Sequence, residues 1–316
     1  MNTGKTKIIL IVNRNILLLI LIALIIVAGL LSKSFFTINN ITDLLRQVTI
    51  FGILALGLLF CIIAGNVDLS IGSLVSLIGC VAIKLVHYNY IAAIFAALTI
   101  GFAAGLFNGF IVGKLKANSV IATLGMMAVY QGMAYQISRG DMLFGVPESP
   151  YAFIGKGYLL KIPFPVYVFF ILALFLYLLI SRTSFGKYVF STGHNEYISK
   201  TLGLNVGNIK IATFVIMGLC CAVSALVLSS RMTGSEAVSG SFYLFEALIA
   251  VILGGAALSG GQGSIGNTII AILILGVLSN ILLLLGLPNP VQQFSKGLIY
   301  IVAILINSYL KYRREL

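Results

Sequence analysis

The chain has 316 residues, of which 60% are hydrophobic and only 9% are charged, and its mean hydropathy is +1.11. Soluble domains carry about 25% charged residues, so a water-soluble globular protein is excluded. The formal charge of +12 does not indicate nucleic-acid binding, because the basic residues flank apolar runs and form no stripe with interleaved aromatic residues. Long continuous apolar runs predict an all-α polytopic membrane protein rather than a β-barrel.

About ten transmembrane helices, some of them broken, fit the sequence at roughly twenty apolar residues each. Together they form a single transmembrane domain over residues 1–316. The predicted spans are 15–36, 44–64, 69–86, 90–113, 118–138, 163–181, 209–230, 244–258, 264–286 and 291–310. The first span resembles a signal peptide, but no A-x-A cleavage pattern follows it, and we expect an uncleaved helix.

The distribution of lysine and arginine predicts the orientation. If both termini are cytoplasmic, most basic residues lie on the cytoplasmic side, as the positive-inside rule requires. This orientation places the polar loop 139–162 outside and the polar segment 182–208 in the cytoplasm. It predicts a multi-pass protein of the cytoplasmic (inner) membrane. The cytoplasmic set is Lys5, Lys7, Arg14, Lys114, Lys116, Arg182, Lys187, Lys200, Lys210, Lys311, Arg313 and Arg314.

One stretch of polar residues and glycines interrupts the apolar runs. Residues 65–73 read Gly-Asn-Val-Asp-Leu-Ser-Ile-Gly-Ser between two apolar runs. An ionisable group at membrane depth is costly unless it faces a partner, water or a polar cavity. Interrupted membrane helices are also typical of substrate routes in transporters. We therefore interpret Asn66, Asp68 and Ser70 as part of a substrate pathway, with Asp68 as the N-cap of the next helix as the alternative.

Later spans add small residues and amides. We interpret Asn108 and Gln131 as further pathway residues suited to an uncharged, hydroxyl-rich solute, although interhelical hydrogen bonding is the alternative for each. The spans carry too few charges for an ion pump or a proton relay. Small residues on one face of the fourth span predict close helix packing. They are Gly101, Ala104, Gly105 and Gly109.

Other residue types argue against chemistry in this chain. The four cysteines lie in apolar runs without C-x-x-C spacing and are expected to be small buried hydrophobic residues. The chain contains two histidines, so no metal site and no cofactor are expected. Residues 258–262 spell Leu-Ser-Gly-Gly-Gln, the signature peptide of ABC-type ATPases, but no phosphate-binding loop accompanies it. We interpret the peptide as a coincidence and expect a chain that is not an enzyme.

Two shorter patterns predict local structure. In the segment 182–208, Asn195 is a candidate N-cap, Lys200 follows Glu196 by four residues, and Gly203 ends the predicted helix. Such a helix can dock into a groove on a soluble partner, and an ordinary interfacial loop is the alternative. Residues 64–70 also resemble residues 254–260, because each glycine-containing stretch follows an apolar run. Internal repeats of this kind are common in transporters.

Four blocks resemble one known family. Residues 65–73 are similar to its G-G-I-D-L-S-V-G-S block, and residues 120–127, Val-Ile-Ala-Thr-Leu-Gly-Met-Met, to its F-I-A-T-L-x-x-M block. Residues 183–206 look like its cytoplasmic coupling segment, and residues 250–264 resemble its A-V-V-L-G-G-x-S-L-x-G-G-x-G-S block. The blocks occur in order from about residue 40 to the end of the chain. The family is that of the membrane permeases of ribose-type ABC sugar importers.

The resemblance implies a permease subunit that moves a monosaccharide, ribose or a related sugar, inward without chemistry of its own. Its implied partners are a cytoplasmic ABC ATPase, an extracytoplasmic sugar-binding protein and a second permease chain, identical or paralogous. The segment 182–208 would then dock the ATPase. The candidate coupling residues are Gly193, Asn195, Glu196, Ser199, Lys200 and Gly203.

Departures from the family pattern leave the sugar open between ribose, another pentose, a hexose and a related compound. The residues that depart are Asn66, Gln131, Leu244, Asn267 and Ala271, which replace a glycine, an arginine, an acid and two glycines. The alternative function is an ATP-independent channel or secondary carrier for a small polar solute. A polytopic enzyme is less well supported, because the spans offer little besides Asp68 as an acid, base or metal ligand.

Overall fold

Helices dominate the computed structural model, which describes residues 16–288, 290–299 and 301. Residues 290–299 are also helical. The remaining helices, in chain order, are α1 (Ile16–Leu31), α2 (Ile38–Ile63), α3 (Ile71–Val86), α4 (Tyr90–Gly113), α5 (Ser119–Ser138), α6 (Ala152–Lys156), α7 (Phe164–Arg182), α8 (Ser184–His194), α9 (Glu196–Thr201), α10 (Val206–Met232), α11 (Ser241–Leu253) and α12 (Ile265–Leu284).

The helices confirm the prediction of an all-α polytopic membrane protein. Among the described residues, α2, α4, α7, α10 and α12 are long and apolar enough to cross a membrane, and α1, α3 and α11 are shorter apolar helices. The predicted span 244–258 is displaced, because α11 begins at Ser241 and ends at Leu253. Gly255 has φ +87°, which ends the helical path there. Half of the predicted span 291–310 and the basic residues of both termini lie outside the described residues.

The polar loop 139–162 is folded, which the sequence did not indicate. It contains α6 and the strands β1 (Leu143–Phe144) and β2 (Tyr158–Leu159), and β3 (Ile162–Pro163) follows it. β1 pairs antiparallel with β4 (Gly234–Ser235), and β2 pairs antiparallel with β3. These elements lie together at one end of the helix bundle, which we call the α6 end.

The helix α2 lies at the centre of the bundle, packed against α10, α11, α12 and α7. Every residue from Val48 to Ile63 is buried, as expected for a helix surrounded by other helices. The four cysteines are buried free thiols, as predicted. A membrane helix that faces protein on all sides is available to transmit movement between its neighbours.

The small residues of α4 pack directly on α10, which confirms the predicted close approach. A Cβ atom added to Gly105 would lie 2.8 Å from the Cα of Val215, and one added to Gly109 would lie 2.7 Å from the Cα of Ile211. Distances this short leave no room for a side chain. Glycine therefore lets the two backbones meet along the length of α4, as small residues do at membrane helix interfaces.

The end of the bundle opposite α6 is formed by α8, α9 and three connections. Gly113 at the end of α4 lies against Gly207 at the start of α10, and Gly65 lies near Gly193 at the end of α8. The connection 254–264 reaches the same place, because Gly261 donates its N–H to the Ile63 carbonyl. We call this region the α8 end.

Candidate functional site

The break between α2 and α3 begins with a glycine in the left-handed region. Gly65 has φ +78°, and its N–H donates to the carbonyl of Ile62 at 2.9 Å. The N–H of Asn66 donates to the carbonyl of Cys61 at 2.9 Å. This is the pattern in which a left-handed residue closes a helix and satisfies its last carbonyl groups.

Hydroxyl groups of α5 satisfy the backbone that follows. The N–H of Val67 donates to Ser119 Oγ at 3.2 Å, and the N–H of Leu69 donates to Thr123 Oγ1 at 3.0 Å. Non-helical backbone at membrane depth requires such partners, because lipid supplies none. Ser119 and Thr123 therefore stabilise the non-helical backbone of the break on the side that faces α5. Sequence reasoning did not single out either residue, although their spacing of four places them on one helix face.

Asp68 lies in a buried hydrogen-bond cluster. Its side chain is only 2% exposed, and its Oδ1 accepts hydrogen bonds from the N–H of Ser70 at 2.9 Å and from Ser70 Oγ at 2.6 Å. Asn108 Nδ2 donates to Asp68 Oδ2 at 3.4 Å and to Ser70 Oγ at 3.0 Å. Within the described residues Asp68 has no ion-pair partner. Neutral groups alone therefore surround the carboxyl.

The alternative of Asp68 as an N-cap is wrong. The N-cap position of α3 is Ser70, and its side chain makes no capping hydrogen bond. Asp68 instead bonds the backbone two residues ahead, an Asx turn that shapes the break before the helix starts.

Tyr130 completes the cluster from α5. Its hydroxyl donates to Asn108 Oδ1 at 3.1 Å, and its side chain is buried. The sequence pointed to its neighbour Gln131 instead, because an amide is a less common side chain in an apolar helix than a tyrosine. The polar groups that meet are a carboxyl, two hydroxyls and an amide, which can exchange hydrogen bonds with a hydroxyl-rich solute.

Two predicted pathway residues lie apart from this cluster. Asn66 is buried, but its Nδ2 donates to the Ala64 carbonyl at 3.0 Å. Gln131 Nε2 donates to the Ala237 carbonyl at 2.6 Å and ties α5 to the connection before α11. Of the five predicted pathway residues, the structure brings Asp68, Ser70 and Asn108 together.

The second glycine-containing stretch repeats the geometry of the first. The N–H of Gly255 donates to the Ile252 carbonyl at 2.9 Å, and the N–H of Ala256 donates to the Val251 carbonyl at 3.2 Å. At the end of α2, Gly65 and the residue after it make the corresponding two hydrogen bonds. In both places the glycine has a positive φ. The similarity between residues 64–70 and 254–260 is therefore also a similarity of backbone structure.

The two glycine-containing stretches meet the segment 182–208 at one point, which we call the glycine junction. A Cβ atom added to Gly193 would collide with the carbonyl oxygen of Ile63 and lie 2.6 Å from the N of Gly261. A Cβ added to Gly260 would lie 2.7 Å from the Gly193 oxygen and 2.8 Å from the Cα of Gly65. Three chain segments are in backbone contact there, and a side chain larger than hydrogen would separate them.

The glycine junction explains the Leu-Ser-Gly-Gly-Gln peptide at 258–262. Gly260 and Gly261 have φ +90° and +75°, and the N–H of Gly261 donates to the Ile63 carbonyl at 2.8 Å. The two glycines adopt the left-handed conformations that this tight loop requires, and the loop packs on the end of α2.

The short helix expected from Asn195 is present as α9. The Asn195 side chain accepts a hydrogen bond from the N–H of Ile198 at 3.0 Å, and Gly203 follows the helix with φ +82°. The helix α8, which precedes it, was not predicted. Its end is fixed by a hydrogen bond between the hydroxyls of Ser191 and Ser199, 2.9 Å apart, with Ser199 fully buried.

The outer surface of α9 and of the turn after it is apolar and uncovered. Tyr197 is 77% exposed, Leu202 70% and Ile198 52%. Large apolar side chains exposed together mark a surface that binds a partner or a membrane.

Glu196 anchors α9 to α10. Its carboxylate oxygens accept hydrogen bonds from Lys200 Nζ at 2.6 Å and from Lys210 Nζ at 2.8 Å. These two bonds lower the pKa of Glu196 below its ordinary value, although partial burial opposes the change. The carboxylate is therefore ionised at neutral pH, and the Lys210 bond reaches from the short helix to a helix long enough to span the membrane.

No group of three or more His, Cys, Asp or Glu side chains that could hold a metal ion occurs among the described residues.

Comparisons with known proteins extend over nearly the whole chain. It is 35% identical over 296 residues to the ribose import permease protein RbsC of Escherichia coli (strain K12), covering 92% of both chains. It is 34% identical over 291 residues to RbsC of Bacillus subtilis (strain 168), covering 91% of this chain and 90% of that one. It is 32% identical over 301 residues to the L-arabinose transport system permease protein AraH of Escherichia coli (strain K12), covering 93% and 90%.

These relatives confirm the resemblance drawn from the four sequence blocks. No solved structure gives a significant match to the chain. The family model described as branched-chain amino acid transport system / permease component matches residues 40–306. This chain, a multi-pass membrane protein, belongs to that permease family.

Proposed function

We propose that this chain is the transmembrane permease subunit of an ABC importer for a monosaccharide, ribose or a related sugar, driven by a separate ATPase subunit. The relatives named for ribose and L-arabinose support a sugar as the solute. The glycine junction carries the mechanism, because it joins the segment that would contact the ATPase to the break beside Asp68. The whole chain forms one transmembrane domain in this proposal.

The proposed pathway is centred on Asp68, Ser70 and Asn108. The Asp68 carboxyl accepts hydrogen bonds, and Ser70 and Asn108 can each donate or accept. Together they offer a sugar hydroxyl both functions without a fixed positive charge. Contact would be transient, since tight binding would prevent release. We also assign Asn66 and Gln131 to the pathway, where each would exchange its present backbone carbonyl partner for a solute hydroxyl.

The proposed coupling element is the segment 182–208. The exposed apolar side chains of α9 would enter a groove on the ATPase, while the capping and ion-pair contacts of α9 keep it rigid. Movement of α8 and α9 would shift the end of α2 through the glycine junction and change which side the pathway opens to, a population shift driven by nucleotide binding elsewhere. The proposed coupling residues are Gly193, Asn195, Glu196, Ser199, Lys200 and Gly203.

The proposed orientation in the cytoplasmic (inner) membrane has both termini and the α8 end in the cytoplasm, with the α6 end outside. The partner at the α8 end would be a cytoplasmic ABC ATPase with two ATPase domains. At the α6 end, the folded loop 139–162 would receive an extracytoplasmic sugar-binding protein. A second permease chain, identical or paralogous, would complete the assembly. The chain itself would perform no ATP hydrolysis.

Reconstitution in vesicles tests this proposal. Uptake of labelled ribose, arabinose or another monosaccharide should require the ATPase, ATP and the binding protein. The paired substitution Tyr197→Ser and Leu202→Ser should abolish uptake and ATPase co-purification, whereas the exposed pair Leu159→Ser and Leu160→Ser at the α6 end should leave the ATPase bound. Uptake by the purified chain alone would instead establish an autonomous channel or carrier.

A further inference from the structure

A basic pocket of about 690 Å³ opens at the α8 end between the α4–α5 connection and the start of α10. Four lysines line it, and Glu196 is its one acidic residue. The lysines are Lys114, Lys116, Lys200 and Lys210.

The charges in this pocket are unbalanced. Glu196 is already shared between Lys200 and Lys210. Lys114 and Lys116 have no ion-pair or side-chain hydrogen-bond partner among the described residues. Lys116 also adopts φ +56°, which is uncommon for a residue with a side chain. The pocket therefore holds an excess of ammonium groups that a bound anion would neutralise.

The backbone adds to this attraction. Asn205, Val206 and Gly207 line the pocket where the 27-residue helix α10 begins. A helix N-terminus carries partial positive charge and favours anions. Val112 and Leu204 supply apolar lining beside the amines. Charged and apolar groups thus meet where α4 ends and α10 begins, as they do at the boundary between lipid headgroups and acyl chains.

We propose that this pocket binds the phosphate-bearing headgroup of an anionic phospholipid. Basic pockets between membrane helices on the cytoplasmic side bind such headgroups, and the apolar lining suits the adjoining glycerol and acyl region better than a free anion. Bound lipid would stabilise the first turn of α10, which lies next to the Glu196–Lys210 ion pair. The inference depends on the proposed orientation in one respect, which is the membrane leaflet that supplies the lipid.

The test uses the full chain in nanodiscs of equimolar phosphatidylcholine and phosphatidylglycerol, with no ATPase and no sugar present. Lipid retained after detergent extraction is measured by native mass spectrometry. The wild type should retain phosphatidylglycerol over phosphatidylcholine. The double substitution Lys114→Gln/Lys116→Gln should weaken this retention at least about fivefold, since one lysine near an anionic surface contributes about that factor. Lys114→Arg/Lys116→Arg should keep it.

The matched control is Lys33→Gln/Lys161→Gln, which removes two exposed lysines away from this pocket and should leave retention unchanged. Equal melting temperatures of the two glutamine variants would show that both are folded. Three results would overturn the proposal: no preference for phosphatidylglycerol in the wild type, equal loss in the control, or unchanged lipid retention in Lys114→Gln/Lys116→Gln. If that variant also lost ATPase co-purification in a separate preparation with the ATPase, the pocket would be an ATPase contact. Failure of sugar uptake would not affect the lipid measurement.

Discussion

Gly193, the residue before the last of α8, lies in backbone contact with Ile63, the last residue of α2. The contact leaves no space for a Cβ atom between them. Because α2 is surrounded by other helices, displacement of its end also displaces the break that carries Asp68. In the proposed mechanism, a rotation of α8 would therefore move the break that carries Asp68. Contact between backbones would transmit this movement directly, because no flexible side chain lies between them.

Gly193→Ala should uncouple the two regions. The added methyl group would overpack the glycine junction, at a cost of about 1–3 kcal/mol in the free energy of unfolding, and would push α8 away from α2. Uptake in vesicles should fall at least tenfold while the ATPase remains bound. Gly125→Ala is the matched control, because a Cβ atom there meets nothing within 4 Å. Equal uptake by the two variants would remove the glycine junction from the mechanism.

Asp68→Asn should impair transport without unfolding the protein. The carboxyl accepts two hydrogen bonds from Ser70 and one from Asn108. In the variant, the NH₂ group of the asparagine would face one of these N–H or O–H groups, and that hydrogen bond would be lost. A buried donor or acceptor left without its partner costs about 1–3 kcal/mol, so we expect uptake to fall by about tenfold or more. Thermal melting and initial uptake rates distinguish lost activity from lost folding.

The control is Asp43→Asn, the same substitution at a 64% exposed side chain of α2 outside the loop 139–162, which should transport normally. Wild-type uptake by the Asp68→Asn variant would restrict Asp68 to a structural role.

Tyr130→Phe should destabilise the protein by about 1 kcal/mol, because Asn108 loses a buried hydrogen-bond donor. Tyr135→Phe removes the same hydroxyl from an exposed position on the same helix and should have almost no effect. Unfolding in a titration with sodium dodecyl sulfate measures both. A difference close to zero between the two variants would mean that Asn108 Oδ1 finds another donor when the Tyr130 hydroxyl is absent.

The contribution of Glu196 to stability should depend on pH in one direction. Its pKa is lowered by the hydrogen bonds from Lys200 and Lys210, so the ionised form is favoured in the folded protein. The stabilisation is then fully present above the unfolded value of about 4.3 and is lost as the pH falls through the lower folded value. Because the side chain is 40% exposed, we expect less than about 1 kcal/mol.

Melting temperatures of wild type and Glu196→Gln should therefore differ at neutral pH and converge in acid below that value. Glu148→Gln, an exposed acid without an ion-pair partner among the described residues, supplies the control. Lys210→Gln should cost more than Lys200→Gln, since the Lys210 side chain is 14% exposed and that of Lys200 is 48% exposed. A gap between wild type and Glu196→Gln that widens on acidification would contradict the assignment.

The sequence predicted those parts of the site that depend on near neighbours. The cap of α9 and the break at Gly65 each need only a few adjacent residues, and the glycine face of α4 follows from helical periodicity. The glycine junction could not be predicted in this way, because Gly65, Gly193 and Gly260 are far apart in the chain and their meeting depends on how α2, α8 and α11 pack. Tyr130 was missed for a related reason, since only tertiary packing turns its hydroxyl toward Asn108.

A partly buried ion pair at residues 246 and 296 gives a last test of the fold. Lys296 Nζ donates to Glu246 Oε1 at 2.8 Å, and the side chains are 16% and 10% exposed. Glu246 Oε2 is buried without a hydrogen-bond partner among the described residues. Removing one member leaves a poorly solvated charge without compensation. Because the pair is partly exposed, we expect a cost at or below the about 3–5 kcal/mol of a fully buried pair.

Lys296→Met should therefore destabilise the protein strongly, and the double substitution Glu246→Gln/Lys296→Met should recover most of the loss, because neither charge remains. The exposed pair in α9 provides the comparison, since Lys200→Met should cost less than about 1 kcal/mol. Unfolding in sodium dodecyl sulfate gives all the free energies needed for the double-mutant cycle. Additive losses in the double variant would show that the two side chains act independently.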